Sequence, residues 1–333
     1  MKYIQTLYQD TMPGLLAAGM IAITSVFLSS HYGGPTMVFA LLLGIALNFL
    51  SDHDRCKKGI DLASKKILRI GVALLGFRIS FEAVVDLGIG PVILVVVGVV
   101  ATIALGLILT RDSQSDSAFG CLTGGAVAIC GASAAMALSS VLPQNEDNER
   151  NTIFTVITVT ALSTIAMVIY PMIAALAGLN EQQTGIFLGA TIHDVAQVVG
   201  AGYSVSDPAG DTATIVKLLR VAMLLPVVMT VMLVVRTRMK KSQSGEAKLP
   251  FPWFVLGFVA LVALNSMVAV PVEISGFFTD VSRWCIVGAV AALGMKTSFA
   301  ALLKVGYFPV AVLVAETVFL AVLSLAAIFV FGM

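Results

Sequence analysis

Charge is what this 333-residue chain has least of: 12% of its residues are Asp, Glu, Lys or Arg, against 58% hydrophobic. Its mean hydropathy is +0.98. A soluble domain of this length could not hide so many Leu, Val, Ile, Ala and Met side chains, whereas a bilayer core accepts any run of roughly 20 apolar residues. The net charge of +1 argues against a nucleic-acid partner, because counterion-driven binding needs a concentrated basic face and these basic residues sit in separate loops. Cysteine is sparse, and Cys56, Cys121, Cys130 and Cys285 lack metal or disulfide spacing, so they read as small apolar side chains, Cys130 excepted. Also missing are a phosphate-binding Gly-Lys-Ser/Thr loop, a paired His-Glu metal helix and a soluble domain. ATP-driven transport by this chain alone is thereby excluded, and no enzyme, cofactor or metal site is expected.

What is present is a series of long apolar runs. Bounded by Gly, Pro, Asn, Asp or charge clusters, they lie at about 13–30, 34–50, 61–80, 89–110, 117–142, 150–178, 183–203, 212–235, 251–271, 281–300 and 305–332. An all-α integral membrane protein of about eleven transmembrane helices is expected, with the first run a retained helix, since Ser29, Ser30 and His31 make a poor signal-peptidase site. Lys and Arg are retained on the cytoplasmic side of short loops. Arg55, Lys57, Lys58, Lys65 and Lys66 fall between the second and third spans, and Arg236, Arg238, Lys240, Lys241 and Lys248 between the eighth and ninth. Eleven spans put both groups on one face, so the N-terminus is expected in the cytoplasm of a bacterial-type inner membrane and the C-terminus outside.

Self-comparison aligns Ala73-Leu74-Leu75-Gly76-Phe77-Arg78-Ile79-Ser80-Phe81 with Ala291-Ala292-Leu293-Gly294-Met295-Lys296-Thr297-Ser298-Phe299, and continues through Gly88 with Gly306 and Pro91 with Pro309. Further matches pair Lys66-Ile67-Leu68-Arg69 with Lys217-Leu218-Leu219-Arg220, and Gly125-Ala126-Val127-Ala128 with Gly288-Ala289-Val290-Ala291. They are not all one repeat, and Gly and Ala also recur by chance in apolar helices. Each pair is nonetheless an odd number of spans apart, hence antiparallel. Two inverted halves are expected, 34–180 and 181–333, after an extra N-terminal helix at 1–33.

Three segments carry chemistry. The fifth span, Gly120 to Met136, is rich in small residues; Gly124, Gly125 and Gly131 lower the cost of unwinding it, although small residues also serve plain close packing. Unwound backbone at membrane depth belongs beside a polar cavity, and the N-terminus of a half-helix is a ready anion site. The seventh span places His193 beside Asp194 in an apolar run, with Gln197 on the His193 face and Asp194 about 100° away. Either these residues line a path or they form a buried hydrogen-bonded lock. Arg69 and Arg220, one turn inside the third and eighth spans, suit an oxyanion or snorkel to headgroups. Glu316, isolated in the last span, reads as a proton carrier or a salt-bridge partner.

Leu75-Gly76-Phe77-Arg78-Ile79-Ser80, Ile129-Cys130-Gly131-Ala132-Ser133-Ala134, Ile192-His193-Asp194-Val195-Ala196-Gln197-Val198-Val199 and Val216-Lys217-Leu218-Leu219-Arg220-Val221 together resemble the YeiH-like family, which carries the label of sulfate export. The resemblance covers nearly the whole chain. That family is grouped with the cation/proton antiporter and anion transporter superfamily, so the resemblance implies a panel and a core subdomain, broken crossing helices and elevator-like alternating access. One departure stands out. The fifth and seventh spans, which carry the best motifs, are an even number of spans apart and by count run parallel.

The expectation is therefore a secondary transporter exporting sulfate or a related inorganic or sulfonated anion. Gly124, Gly125, Cys130, Gly131, Ser133, His193, Gln197, Arg69 and Arg220 are the expected substrate-binding residues, and Asp194 and Glu316 the coupling-ion residues. The competing expectations are a sodium- or proton-coupled carrier of an organic anion, and a passive channel or membrane scaffold. Partners are the anion, the lipid bilayer, a coupling sodium ion or proton and, through panel-type helices, a second copy in a homodimer.

Overall fold

The computed structural model describes residues 2–79, 81–111, 117–143, 146–238, 253–268, 270–297 and 307–333, and every regular element among them is helical. Helices α1 (Lys2–Tyr32) and α2 (Thr36–Ala46) correspond to the first two expected spans. The third is a composite: α3 (Asp54–Leu62), a π-helical turn at Ala63–Ile67, α4 (Leu68–Leu74) and a 3-10 turn at Leu75–Phe77. After short α5 (Phe81–Asp86) comes α6 (Gly90–Leu109). The fifth span is split into α7 (Ser117–Ala128) and α8 (Ala132–Ser139), and α9 (Glu146–Leu176) follows. The seventh is split into α10 (Glu181–Thr191) and α11 (Val195–Val205). The eighth comprises α12 (Asp207–Ala222) and α13 (Leu224–Arg238). The remainder are α14 (Trp253–Met267), α15 (Val272–Lys296) and α16 (Tyr307–Phe331).

Among the described residues, six helical segments are long and apolar enough to cross a membrane, and four shorter helices are apolar too. Their faces carry the same message. On α1 the buried residues include Gly14, Ala17, Ala18, Ile21, Ala22 and Ser25, while the larger Leu16, Met20, Ile23 and Phe27 are exposed. Small residues turned inward and large apolar ones outward suit lipid, which leaves no hydrophobic penalty on the outer face and rewards close backbone approach inside. The chain is a multi-pass membrane protein.

Contacts divide it into two compact units, one of Met1–Leu87, Val199–Asp211 and Trp253–Ser298, the other of Gly88–Val198, Thr212–Pro252 and Phe299–Met333. In the first unit, α2 and α15 touch backbone to backbone at Gly44 and Gly294, where an added Cβ would come 2.3 Å from Ala291 O and 2.4 Å from Leu41 O. Asn48 closes the C-terminus of α15, its Nδ2 donating to Met295 O at 2.7 Å and Thr297 O at 3.1 Å. Lys296 pairs there with Asp61. Arg78, just past the Leu75–Phe77 turn, binds Asp207 (Nη2 to Oδ2, 3.0 Å) and Asp211 (Nε to Oδ1, 3.0 Å), and Tyr203 donates to the same Asp211 carboxyl. The aligned stretches 73–77 and 291–296 end α4 with its turn and α15; Ser80 and residues 298–306 of that alignment lie outside the described residues.

In the second unit, α6 and α7 cross at Gly106 and Gly120, whose absent side chains let each approach the other's carbonyl. Helix α16 packs on α6, α7, α9 and α10 around a core of Val127, Val159, Leu313 and Leu320. This unit holds α7, α8, α10 and the first turn of α11, the rest of α11 from Val199 belonging to the first unit.

Candidate functional site

Helix α7 runs unbroken through Gly124 and Gly125, which serve contact: a Cβ on Gly124 would sit 2.8 Å from Ile103 Cα, and one on Gly125 2.2 Å from Leu138 Cδ1. The break comes later, at Ile129–Gly131. Gly131 adopts φ +61° and ψ −127°, a left-handed conformation that glycine enters without steric cost, and its N–H reaches back to Ala126 O at 2.8 Å. Helix α8 then starts afresh. The Cys130 thiol is buried and faces the Ala134 N–H in the first turn of α8.

The second break spans Ile192–Asp194. Ile192 is extended (φ −66°, ψ 138°), and Asp194 opens α11 as its cap: Oδ1 accepts from Ala196 N at 2.9 Å, while its own N–H donates to Ser163 Oγ at 3.0 Å. The two breaks touch, since a Cβ on Gly131 would lie 3.5 Å from His193 Cβ.

Each half-helix that stops inside the bundle leaves its last carbonyls without an intrahelical donor, in a medium with no water to supply one. Two cations from α12 fill that need. Lys217 Nζ donates to Ile129 O at 2.8 Å, Ile192 O at 3.0 Å and His193 O, which uses all three hydrogens of an ammonium. Arg220 donates from Nε to Ala128 O (2.9 Å), from Nη1 to Gly189 O (3.1 Å) and Ile192 O (2.9 Å), and from Nη2 to Val127 O (2.7 Å). Both side chains are fully buried, at 0% and 1% exposure. Spaced three apart, they share one face of α12 and clamp the C-terminal ends of α7 and α10 together.

His193 completes the crossing. Its Nδ1 stands 3.1 Å from Val127 O, so that nitrogen carries the proton; Nε2 stands 3.1 Å from Thr317 Oγ1 on α16. The Thr317 hydroxyl is also 2.7 Å from Leu313 O, and its single hydrogen serves either that carbonyl or the imidazole. Gln197 donates from Nε2 to Thr164 Oγ1 at 2.7 Å, while its Oε1 is buried without a partner. Ser133, in the first turn of α8, is exposed.

Gly131, Cys130, His193, Gln197 and Arg220 thus gather at or next to the two breaks, and Ser133 follows directly on α8. Gly124 and Gly125 lie in the α6 and α8 contacts, and Asp194 caps α11. Arg69 belongs to the other unit, where it is exposed on α4. Glu316 is buried on α16 and accepts from Thr123 Oγ1 at 2.8 Å. Lys217 was absent from the expected site. Its signal was legible: two cations three residues apart in a run otherwise apolar from Ile215 to Leu225. Thr317, Ser163 and Thr164 carried no such signal, because hydroxyls on α9 and α16 are indistinguishable from many others.

Residues 13–313 match the sequence profile of a family described as conserved hypothetical protein 698. The chain belongs to that family. Among its relatives, a UPF0324 membrane protein of Chlorobaculum tepidum is 54% identical over 95% of this chain and 88% of its own length. Another, of Rhizobium meliloti, is 52% identical over 96% and 93%. A third, of Paracoccus pantotrophus, bears the name UPF0324 membrane protein TauZ and is 50% identical over 98% and 97%. These relatives are labelled membrane proteins.

Proposed function

We propose that this chain is a secondary transporter that exports sulfate or a related inorganic or sulfonated anion across the inner membrane, N-terminus inside, by elevator-like alternating access. The observation that carries the reading is the charge balance at the crossing. Lys217 and Arg220 bring two positive charges, and the two helix C-termini they clamp offset only about half a charge each. The N-termini of α8 and α11 add about half a positive charge each, so after the Asp194 carboxylate is counted roughly one positive charge remains for a bound anion to balance.

The site we assign to that anion is the opening turn of α8. Ala134 N–H faces Cys130 and Ala135 N–H bonds Gly131 O, which leaves the Ala132 and Ser133 amides and the Ser133 hydroxyl as donors. Asp194, holding the start of α11, would repel an anion there. Support for two moving bodies comes from the division of the chain: each of the halves 34–180 and 181–333 contributes segments to both units, as inverted repeats that each build part of a panel and part of a core would.

The test is flux of labelled sulfate in proteoliposomes, with anion competition to define the class. Ser133→Asp places a carboxylate among the proposed donors and is expected to abolish flux, while Ser133→Ala weakens it. Undiminished flux in Ser133→Asp would remove this site.

A further inference from the structure

We propose that Glu316 binds the proton to which transport is coupled, a reading that rests on the carrier function above and names its driving ion. Glu316 is fully buried on α16. Its Oε1 accepts from Thr123 Oγ1 on α7 at 2.8 Å, and its Oε2 has no hydrogen-bond partner. Among the described residues no cation pairs with it. An unpaired carboxylate in such a place costs several kcal/mol, so the group keeps its proton until water reaches it.

The surroundings suit a proton and not a metal cation. The hydroxyl beside Oε1 points its hydrogen at the carboxyl, and α6 presents Gly106, where an added Cβ would come 2.5 Å from Oε1. Bare backbone and one donor hydroxyl make a slot for a carboxyl group. Asp194 differs: it is half-buried, and its Oδ1 is engaged in capping α11. Its charge is already accommodated.

Position supplies the coupling. Thr123 lies one helical turn before Val127, whose carbonyl receives both Arg220 and His193; the residue after Glu316 is Thr317, which meets the other side of His193. Glu316 therefore joins the two helices, α7 and α16, that hold the crossing from either side. On release, the carboxyl O–H breaks and the proton passes to water, forming hydronium and a carboxylate. The new charge must be hydrated, which opens the α7–α16 contact next to the anion site. The titratable or charged groups on the elements around Glu316 are Cys121 on α7, Tyr170 and, near the start of α9, Glu146, Asp147, Glu149 and Arg150, Glu181 and His193 at the ends of α10, Tyr307 on α16, and Arg111 past the end of α6. Of these, His193 is the group joined to the next residue of α16.

Two measurements separate this inference from the reading beneath it. Infrared spectra of the purified protein in liposomes should contain the carbonyl band of a protonated, dry carboxylic acid near neutral pH, lost in Glu316→Gln; no such band, or one that survives Glu316→Gln, overturns the proposal whatever is transported. In sulfate-loaded vesicles, Glu316→Gln should retain sulfate exchange yet lose acceleration by a pH gradient. Full gradient response in Glu316→Gln also overturns it. A band specific to Glu316 with no sulfate flux in the wild type would support the proton site and sink the anion. Should Glu316→Gln fold poorly, Thr123→Val is the second variant, and it should shift the pH at which the gradient response is half-maximal while exchange persists; no shift counts against the proposal.

Discussion

The two units end helices inside the bundle by different means. In the first, α15 stops against a neutral amide, Asn48, and the cations Lys296 and Arg78 of that unit find carboxylates: Lys296 meets Asp61, and Arg78 meets Asp207 and Asp211. In the second, α7 and α10 stop against two buried cations that donate to backbone carbonyls. Carbonyl ends need only hydrogen-bond donors, and a neutral side chain is the cheaper supplier in apolar surroundings. Spending two full charges at a crossing leaves positive potential over, and that excess is what a structural role alone does not require.

The largest test of this contrast is Arg220→Met, which strips donors from Val127, Ala128, Gly189 and Ile192 at once. A loss of at least about 3 kcal/mol is expected, seen as collapse of the thermal transition or of folded yield in detergent. Next comes Gly131→Ala. The space is adequate, since the nearest atom would lie 3.5 Å away, but φ of +61° is strained for a side chain, so about 1–2 kcal/mol of destabilisation should appear with a fall in flux. Asn48→Ala should cost about 1 kcal/mol through its two lost donations; were it to cost as much as Arg220→Met, the distinction between neutral and charged helix ends would fail. Smallest is Arg78→Ala. Its pairs are partly exposed, with 27% of the Arg78 side chain and 69% of that of Asp207 accessible, and a change near 0–1 kcal/mol that shrinks with added salt is expected from melting curves at two ionic strengths.

Much of the fold was legible from apolar run length. Each of the eleven apolar runs coincides with one helix or with consecutive helical segments among the described residues, because a residue facing lipid must be apolar whatever its neighbours are; six of these segments are long and apolar enough to cross a membrane. The positions of the breaks were less legible. Gly124, Gly125 and Gly131 alike lower the cost of unwinding the fifth span, yet α7 passes straight through the first two, which are held against α6 and α8. Gly131, with positive φ, marks the true break. Helix propensity ranks glycines alike; packing decides which of them unwinds.

The site divides along the same line. His193, Gln197, Arg220 and Glu316 could be picked out because a polar group in an apolar run is costly and needs a reason. What each does depended on contacts between residues far apart in the chain: Arg220 reads as an anion ligand in isolation, but its guanidinium is engaged by carbonyls of α7 and α10. By itself, then, the sequence determined the solvent, the helices and the list of polar residues that lipid would not tolerate, since these follow from transfer energies of single residues. Only the tertiary structure decided which carbonyl ends the cations clamp and which carboxyl stands alone, because hydrogen-bond satisfaction is a property of pairs and no single residue carries it.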